Sequence, residues 1–318
     1  MKKVIFITGI AGMIGSNLLK RYIEKDVIVI GVDNFALGKK TFLLPFLKRN
    51  NFFFFKQNLD KKFYSKKINT ILSKNYLSEI WLLAANSDIQ KGTIDPSVDL
   101  KNTFLTTFYT LDLLKKFLTK KTKILFASSS AIYGDENYKI SEDSVANKPI
   151  SNYGAMKLAS EGYLSAFSKT NSASVIIFRF PNVIGNNLTH GVIFDMRKKI
   201  LSKNKNIEVL GNGEQQKPYS HVSEIIECMF FLKNKKYIDK VNYFNIGTDD
   251  GGIKVRDIVE LLKKAFNTKK KTTYQKKNIG WIGDVPKYRY STKKINKMGF
   301  FFKSSSKDAI KLTIKTLK

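Results

Sequence analysis

The stretch that decides the fold is residues 4–15, which read VIFITGIAGMIG. Its first four residues are apolar and mostly β-branched, as in a strand that is buried on both faces of a parallel sheet. Gly9, Gly12 and Gly15 follow at three-residue spacing, and a helical pattern then runs to Glu24. A strand, a glycine turn and a helix in this order predict a backbone turn that lies against a pyrophosphate, with helix amides facing the phosphates.

A second strand and an acidic residue complete this pattern. The strand is predicted over Val27–Val32, and Asp33 ends it 18 residues after Gly15. A carboxylate at this position accepts hydrogen bonds from ribose hydroxyls and repels a 2′-phosphate. The sequence therefore predicts a dinucleotide site that takes NAD, while Lys39 and Lys40 leave NADP as an alternative.

Strands continue to alternate with helices up to Pro181. Further strands are predicted at Phe52–Phe55, Ile80–Ala85, Lys123–Ser128 and Ser174–Arg179, and helices over Leu100–Leu118 and Tyr153–Ser168. Because βαβ units build parallel sheets, we expect an α/β fold, a Rossmann doubly wound parallel sheet with helices on both faces.

The pattern changes after Pro181, where Gly, Asn and turn signals become frequent. A helix over Ser223–Leu232 and a strand over Val241–Ile246 interrupt this region. We therefore expect residues 1–180 and about 221–248 to form the NAD-binding domain. Residues 181–220 and 249–318 would then form a smaller C-terminal lobe that binds substrate.

Positive charge is the unusual feature of the composition. The chain has 318 residues, with 56 Lys and Arg against 26 Asp and Glu, and a formal net charge of +30. Such a charge is typical of proteins that bind nucleic acid or membrane surfaces. However, 50 of the basic residues are Lys, whereas phosphate recognition favours the guanidinium fork of Arg. We interpret the charge as mainly compositional, although half of the excess falls within residues 251–318.

Cysteine and histidine are scarce. Cys228 is the single cysteine and His190 and His221 are the two histidines, so the chain has no internal disulfide and no zinc site made of Cys and His. No apolar run reaches the roughly 18 residues that a membrane helix needs. We expect a protein of the reducing cytoplasm that holds no metal.

A tyrosine and a lysine at helical spacing are the candidate catalytic pair. Tyr153 and Lys157 would share one helix face, where the ammonium lowers the pKa of the phenol and makes it a usable base. Spacing alone carries little information, because Tyr290 begins a second copy of it. Residues 126–134, FASSSAIYG, favour the first copy, since they predict a strand that runs into a small-residue turn. We expect Ser129 to polarise a substrate oxygen there and Tyr290 to be structural.

Eight segments together resemble the extended short-chain dehydrogenase/reductase family, and within it the NAD-dependent nucleotide-sugar epimerases. They are TGIAGMIG at 8–15, Asp33-Asn34, LLAANSDI at 82–89, ASSSAIYG at 127–134, YGAMK at 153–157, RFPNVIG at 179–185, GNGEQQKPYSHV at 211–222 and GDVP at 283–286. They keep the family order over nearly the whole chain. THGVIF at 189–194 and GWIGD at 280–284 look most like the UDP-glucose 4-epimerase-like branch.

The resemblance implies a role for each motif residue. The implied catalytic residues are Ser129, Tyr153 and Lys157. The implied NAD contacts are Gly9, Gly12, Met13, Ile14, Gly15, Asp33, Asn34, Asn58, Leu59, Leu83, Ala84, Ala85, Asn102, Ser128, Tyr153, Lys157, Phe180 and Val183. The implied nucleotide-sugar contacts are Asn182, His190, Gly191, Val192, Lys217, Tyr219 and Asp284.

The chain departs from the family's usual residues at several of these positions. Leu82, Asn58, Lys217 and Trp281 stand where relatives usually have His, Asp, Arg and a phosphate-binding Arg, respectively. Lys217 keeps the charge but loses the planar fork, and Trp281 loses the charge. Lys287 or Arg289 is therefore a candidate to supply the missing positive charge.

The reaction implied by the resemblance is 4-epimerisation of a nucleotide sugar, of the UDP-glucose/UDP-galactose type. It would pass through a transient 4-keto sugar, with Tyr153 as the base. Relatives that are 4,6-dehydratases have an Asp-Glu pair after the catalytic Ser or Thr, where this chain has Ser130-Ala131. The sequence thus disfavours dehydration, but dehydratase, decarboxylase and 4-dehydrogenase activities of the family stay as alternatives.

Two further expectations concern partners. The predicted helices Leu100–Leu118 and Tyr153–Ser168 match those through which relatives form dimers, so the resemblance implies a homodimer. An alternative of another class is a non-catalytic scaffold of this fold that binds nucleic acid through its basic surface. The intact set of Ser129, Tyr153 and Lys157 argues against that alternative, and we expect neither a nucleic acid nor a membrane partner.

Overall fold

Seven apolar strands form one parallel sheet in the structure, a computed structural model that describes residues 1–135, 139–146 and 148–317. The strands are β1 (Lys3–Thr8), β2 (Val27–Asp33), β3 (Phe52–Lys56), β4 (Tyr76–Leu82), β5 (Lys123–Ser129), β6 (Ser174–Phe180) and β7 (Val241–Asn245). Their spatial order is β7-β6-β5-β4-β1-β2-β3, and every neighbouring pair is parallel. The predicted α/β fold with a doubly wound parallel sheet is confirmed.

Helices cover both faces of this sheet. They are α1 (Met13–Tyr22), α2 (Lys66–Lys74), α3 (Ile89–Ile94), α4 (Pro96–Asp99), α5 (Thr106–Leu114), α6 (Asn152–Thr170), α7 (Val192–Leu201), α8 (Val222–Lys233), α9 (Val255–Ala265), α10 (Lys293–Lys297) and α11 (Ser306–Leu317). Short 3₁₀ turns occupy Lys40–Phe42, Leu44–Phe46, Lys115–Phe117 and Ser130–Tyr133. None of the helices among the described residues is long and apolar enough to cross a membrane.

Alternation along β1 shows how the two faces are filled. Ile5 and Ile7 point to one face, where they belong to the core that α1 and α8 cover. Val4 and Phe6 point to the other face, whose core includes residues of α2, α5 and α6. Because both sets are apolar, the strand is buried on both sides, as its continuous apolar run predicts.

A separate core lies in the C-terminal part of the chain. Ile193 of α7, Ile258 of α9 and Ile310 of α11 are fully buried together in it. Short strands support this region: Asn182–Ile184 pairs with Tyr219–His221, Asn206–Val209 with Lys271–Tyr274, and Gln216–Lys217 with Ile253–Lys254. Between the segments that form this core, the chain returns to the main sheet. There α8 packs against α1, and β7 pairs with β6.

Two predicted elements differ from the structure. The strand predicted at Ile80–Ala85 is β4, which begins at Tyr76 and ends at Leu82, because residues after Leu82 leave the sheet to line a cavity. The helix predicted over Leu100–Leu118 is a π-helical turn at Leu100–Leu105, followed by α5 and a 3₁₀ turn. A π turn widens the helix by one residue per turn, which periodicity in the sequence does not reveal.

Candidate active site

A cavity of about 1000 Å³ lies where the strands of the sheet end. Its walls come from residues that follow β1, β4 and β6 and from the last residues of β2 and β5. The opposite wall comes from α7 and from segments of the C-terminal core. Ligands of open parallel sheets bind at this carboxyl edge, so the cavity lies where the fold predicts a site.

The glycine turn forms one end of the cavity. Gly9 has φ +68°, and a Cβ built on it would lie 2.8 Å from the Ala84 amide nitrogen. A Cβ on Gly15 would lie 2.2 Å from the Gly9 carbonyl oxygen, so both positions exclude a side chain. Gly12 lines the cavity and precedes α1, whose N-terminus has no side-chain cap. Free amides beside a bare backbone fit the pyrophosphate of a dinucleotide.

Asp33 lies beside this turn, at the end of β2. Its carboxylate accepts hydrogen bonds from the Ala11 amide at 2.9 Å and the Phe35 amide at 2.7 Å. Burial raises the pKa of Asp33, and the two backbone hydrogen bonds oppose that rise. The amides fix the carboxylate at the cavity wall, where it can accept hydrogen bonds from a ribose.

The predicted NAD contacts converge on this cavity with one exception. Of the eighteen residues predicted for NAD, every one except Asn58 lines it. Asn58 is exposed, and its neighbours Gln57 and Leu59 line the wall instead. Leu83 and Ala84 are held there because their amides donate to the Thr8 hydroxyl at 3.1 and 3.2 Å.

Tyr153 and Lys157 lie in the first turns of α6. Ser151 caps this helix by accepting a hydrogen bond from the Gly154 amide at 3.1 Å. The Lys157 ammonium lies 5.7 Å from the centre of the Tyr153 ring and donates to the Ala127 carbonyl of β5. The helix therefore brings the phenol and the ammonium to one face, as their spacing predicts.

Burial dominates the electrostatics of this pair. It lowers the pKa of Lys157 to about 7, against the opposing effects of Glu161 and Asp99. It raises the pKa of Tyr153 well above 10, while the Ser129 hydroxyl acts in the opposite direction. Ser129 ends β5 beside them, and its oxygen accepts a hydrogen bond from the Ala131 amide at 3.1 Å. A phenol, an ammonium and a hydroxyl thus meet at one cavity wall, and together such groups can move a proton to or from a ligand hydroxyl.

All seven residues predicted to contact the nucleotide sugar line the same cavity. Lys217 and Asp284 form an ion pair there, and the Gly280 amide donates to Asp284 at 3.0 Å. The Lys217 ammonium also lies 5.4 Å from the Trp281 ring, a cation–π distance. The lysine and the tryptophan that depart from the family pattern are therefore in contact.

His190 occupies the wall near two carboxylates. Burial lowers its pKa, while Asp88 and Asp195 raise it. Its Nδ1 lies 2.9 Å from the Thr189 hydroxyl. The ring can therefore hydrogen-bond a ligand hydroxyl through Nε2 in its neutral form.

Neither candidate for the missing positive charge reaches the cavity. Lys287 and Arg289 are exposed and do not line it. Lys91, Lys198 and Lys199 line it instead, together with Lys217. The additional positive charge at the cavity wall therefore comes from α3 and α7, at positions outside the sequence motifs.

Tyr290, the first residue of the second Tyr-Lys copy, lies away from this cavity. It is buried in a short strand, Arg289–Tyr290, and its hydroxyl donates to the Arg179 carbonyl. Lys294 lies on α10 and donates to the Tyr243 carbonyl at 2.8 Å. The two side chains therefore contact backbone carbonyls in different places, which agrees with a structural role for Tyr290.

Tyr288 is a cavity residue that sequence reasoning missed. It is buried, and its hydroxyl lies 3.2 Å from the Ser130 hydroxyl and 3.5 Å from the Asn182 side-chain amide. It follows the GDVP motif at 283–286 by two residues, so alternation along an extended segment was the available signal.

Comparison with protein families gives one match that covers most of the chain. The model of the NAD dependent epimerase/dehydratase family matches residues 5–247. That range contains the glycine turn, Asp33, Ser129, Tyr153 and Lys157.

Individual relatives agree with this match. A putative UDP-glucose 4-epimerase of Methanocaldococcus jannaschii is 26% identical over 99% of this chain and 98% of its own length. A UDP-glucuronate 4-epimerase of Thermodesulfobacterium geofontis is 26% identical over 84% of this chain and 82% of its own. The crystal structure of the UDP-glucose 4-epimerase of Thermotoga maritima with UDP-glucose has a TM-score of 0.84 and 27% identity, over 99% of this chain and 98% of that one.

Proposed function

Because this chain belongs to the NAD dependent epimerase/dehydratase family, we propose that it is a nucleotide-sugar 4-epimerase that interconverts UDP-glucose and UDP-galactose. The observation that carries the proposal is a single cavity lined by the glycine turn, by Asp33 and by Ser129, Tyr153 and Lys157. The same cavity extends to the residues that resemble nucleotide-sugar contacts, so cofactor and substrate would share one site.

NAD is the cofactor of this family, and the turn fits it. Gly9, Gly12 and Gly15 would hold the pyrophosphate, and Asp33 the adenosine ribose. When bound, NAD supplies the acceptor and then the donor for the hydride of the sugar C4. The protein must therefore keep the sugar C4 beside the nicotinamide and move a proton at the C4 hydroxyl.

Tyr153 is the group that would move this proton. Its burial makes a phenolate costly, so a nearby positive charge is needed, and the ammonium of Lys157 lies 5.7 Å from the ring. Ser129 would donate a hydrogen bond to the same sugar oxygen as it becomes a carbonyl. Tyr153 would then return the proton when the 4-keto sugar is reduced on its other face, which is microscopic reversal of the first step.

The sugar must turn over while its nucleotide stays bound. We propose that residues 181–220 and 249–318 form the nucleotide-sugar-binding lobe, and that residues 1–180 with about 221–248 form the NAD-binding domain. Lys217, Asp284 and Tyr219 on the cavity wall would anchor the nucleoside diphosphate. A firmly held diphosphate beside a loosely held hexose would allow both faces of the 4-keto sugar to be presented.

We also propose a homodimer through α5 and α6. On α6, Ala159, Gly162 and Ala166 are exposed at spacings of three and four residues, so they lie on one stripe. Small side chains on such a stripe let a second helix approach closely. A monomeric mass by light scattering would contradict this proposal.

A panel of sugar nucleotides tests the function. We expect the purified protein to contain NAD and to interconvert UDP-glucose and UDP-galactose, with products identified by NMR. Tyr153→Phe should lower kcat at least about 100-fold, because general acid–base catalysis supplies 10²–10⁴-fold. An unchanged kcat for this variant would refute the role of Tyr153, provided that the variant still binds NAD.

The same panel separates the alternatives. A 4-keto-6-deoxy product would identify a dehydratase, loss of carbon dioxide a decarboxylase, and net reduction of NAD a 4-dehydrogenase. No turnover together with salt-sensitive retardation of nucleic acid would identify the scaffold instead. Preference for UDP-glucuronate or an N-acetylated hexose would keep the reaction and correct the substrate.

A further inference from the structure

A buried ion pair lies directly behind the cavity wall. Glu161 stands one helical turn after Lys157 on α6, and Arg179 is the penultimate residue of β6. The guanidinium donates from Nε at 3.1 Å and from Nη2 at 2.7 Å to the two carboxylate oxygens. Their side chains are only 3% and 8% exposed, respectively. This is the bidentate geometry in which Arg fixes direction as well as charge. We call it the carboxyl-edge pair.

The carboxyl-edge pair forms hydrogen bonds with residues before and after Ser129. Before Ser129, the Ser128 hydroxyl donates to Glu161 at 2.5 Å. After it, the Tyr133 hydroxyl accepts a hydrogen bond from Arg179 Nη1 at 2.6 Å. Tyr133 in turn lies 2.9 Å from the Asn245 side-chain oxygen at the end of β7. Ser128 and Tyr133 are thus both hydrogen-bonded to the carboxyl-edge pair, and Ser129 lies between them in the sequence.

The same pair reaches the third wall of the cavity. Arg179 directly precedes Phe180–Val183, whose residues line the cavity. Its carbonyl is fixed as well, because it accepts hydrogen bonds from the Tyr290 hydroxyl and from the Ile246 amide at 3.0 Å. Glu161 and Arg179 therefore connect three segments, namely the end of β5, helix α6 and the end of β6.

Neither member of the pair reaches the ligand space. Glu161 and Arg179 do not line the cavity, whereas Ser128, Ser129, Lys157 and Phe180 do. A buried ion pair is also a poor source of stability, since an apolar pair of similar size often stabilises a fold equally well or better. Its directional hydrogen bonds are what an apolar pair would lack.

We propose that Glu161 and Arg179 are positioning residues, which fix Ser129 and Lys157 relative to Tyr153 and to the end of β6. The inference rests on the proposed function for the reaction it serves. Catalytic groups must be held to a fraction of an ångström, and a displacement of about 1 Å costs roughly 100-fold in rate. The pair supplies this precision from behind the site.

The experiment compares two buried tyrosine hydroxyls. Tyr133 bonds the carboxyl-edge pair, and Tyr22 bonds another buried pair, Glu79 and Lys233, outside the cavity. Both rings are at most 2% exposed, so Tyr133→Phe and Tyr22→Phe remove the same atom from matched surroundings. We expect Tyr133→Phe to lower kcat about tenfold with KM nearly unchanged, and Tyr22→Phe to leave both constants at the wild-type values.

Variants of the pair itself extend the test. Arg179→Met should lower kcat about 100-fold, and Arg179→Lys should recover only part of that loss, because Lys lacks the fork. If Arg179→Met does not fold, Tyr133→Phe decides, since it cuts one link and keeps both charges. Equal kcat for Tyr133→Phe and Tyr22→Phe would overturn the inference.

A readout without substrate separates this inference from the proposed function. When the bound NAD is reduced to NADH with borohydride, its fluorescence reports the surroundings of the nicotinamide in the binary complex. We expect Tyr133→Phe to change this emission and Tyr22→Phe to leave it as in the wild type. If the wild type turned over no sugar nucleotide, the proposed function would fail, and the emission comparison would still decide the positioning role: equal emission in both variants would refute it.

Discussion

Two buried ion pairs lie at opposite edges of the central sheet, and they join different kinds of segment. At the amino edge, Lys233 at the end of α8 donates to Glu79 of β4 at 2.5 Å. Tyr22 at the end of α1 and Trp81 of β4 also donate to Glu79. We call Glu79 and Lys233 the amino-edge pair. It fastens the ends of α1 and α8 to β4, and none of these four side chains lines the cavity.

The carboxyl-edge pair has similar burial but joins segments that end in the cavity. Arg179 is used instead of Lys, and its fork bonds both oxygens of Glu161 and a third group, the Tyr133 hydroxyl. A Lys ammonium is a compact point charge, whereas the guanidinium is planar and fixes angles. A point charge therefore suffices where helices are fastened to the sheet, whereas a planar group is used next to the residues that we propose to be catalytic.

Removing the cation of either pair should cause the largest loss in the free energy of unfolding, and the loss should be similar at both edges. Lys233→Met and Arg179→Met each leave a carboxylate buried without its partner, which costs about 3–5 kcal/mol of the free energy of unfolding. Urea unfolding followed by circular dichroism measures this loss. A difference of more than about 2 kcal/mol between the two variants would break the assumed equality of the pairs.

Lys157 provides a contrasting lysine, buried without an ion pair among the described residues. Its pKa falls from 10.5 to about 7 in the folded state, so the unfolded chain binds more protons between these pH values. The free energy of unfolding should therefore rise with pH across that window. Lys157→Met should flatten this rise and add on the order of 4 kcal/mol at pH 7.

Unfolding curves from pH 7 to 10 measure this slope. Lys233→Met is the comparison, since burial also lowers the pKa of Lys233 but Glu79, its ion-pair partner, opposes this effect. An identical slope in Lys157→Met and the wild type would show that Lys157 stays charged in the folded protein.

Replacing both members of each pair separates its effect on stability from its effect on catalysis. Glu79→Met with Lys233→Met should restore stability and keep wild-type kcat, because apolar substitutes fill the space of an ion pair. Glu161→Met with Arg179→Met should also restore stability but leave kcat about 100-fold low. Chemical denaturation and steady-state kinetics on the same samples measure both effects. Full recovery of kcat in the second variant would mean that the carboxyl-edge pair is only structural.

Removing the lysine of the ion pair on the cavity wall should have the smallest effect on the kinetic constants. Lys217 is 15% exposed and lies against both Asp284 and Trp281, and without it the buried Asp284 carboxylate keeps the Gly280 amide as a donor. We expect Lys217→Met to raise KM for the sugar nucleotide about tenfold, the effect of one charge-assisted contact of roughly 1.5 kcal/mol. Lys287→Met, on an exposed residue outside the cavity, is the control. An equal KM in both variants would remove Lys217 from the binding site.

Local patterns made the carboxyl edge of the sheet predictable. Gly9, Gly12 and Gly15 follow a strand directly, and Tyr153 and Lys157 share one helix, so each signal lies within a few residues. The placement of these segments around one cavity then follows from the rule that parallel strands present their carboxyl ends together.

The buried pairs were not predictable, for two different reasons. Glu79 and Lys233 are 154 residues apart, and nothing marks one lysine among 50. Glu161 and Arg179 stand near recognised motifs, but their meeting depends on how α6 packs over β5 and β6. The π turn at Leu100–Leu105 was missed because it alters hydrogen bonding without altering the apolar pattern.

The return of the chain to the main sheet has a consequence for biosynthesis. β6 ends at Phe180, but β7, which pairs along its edge, ends only at Asn245. At a ribosomal rate of roughly 5–20 residues per second, this edge waits about 3–13 s for its neighbour. During that interval a strand reading SVIIFRF presents unpaired amides and carbonyls, the kind of edge on which other chains assemble. The nascent protein is therefore most exposed to aggregation after its cofactor turn has been made and before its last strand emerges.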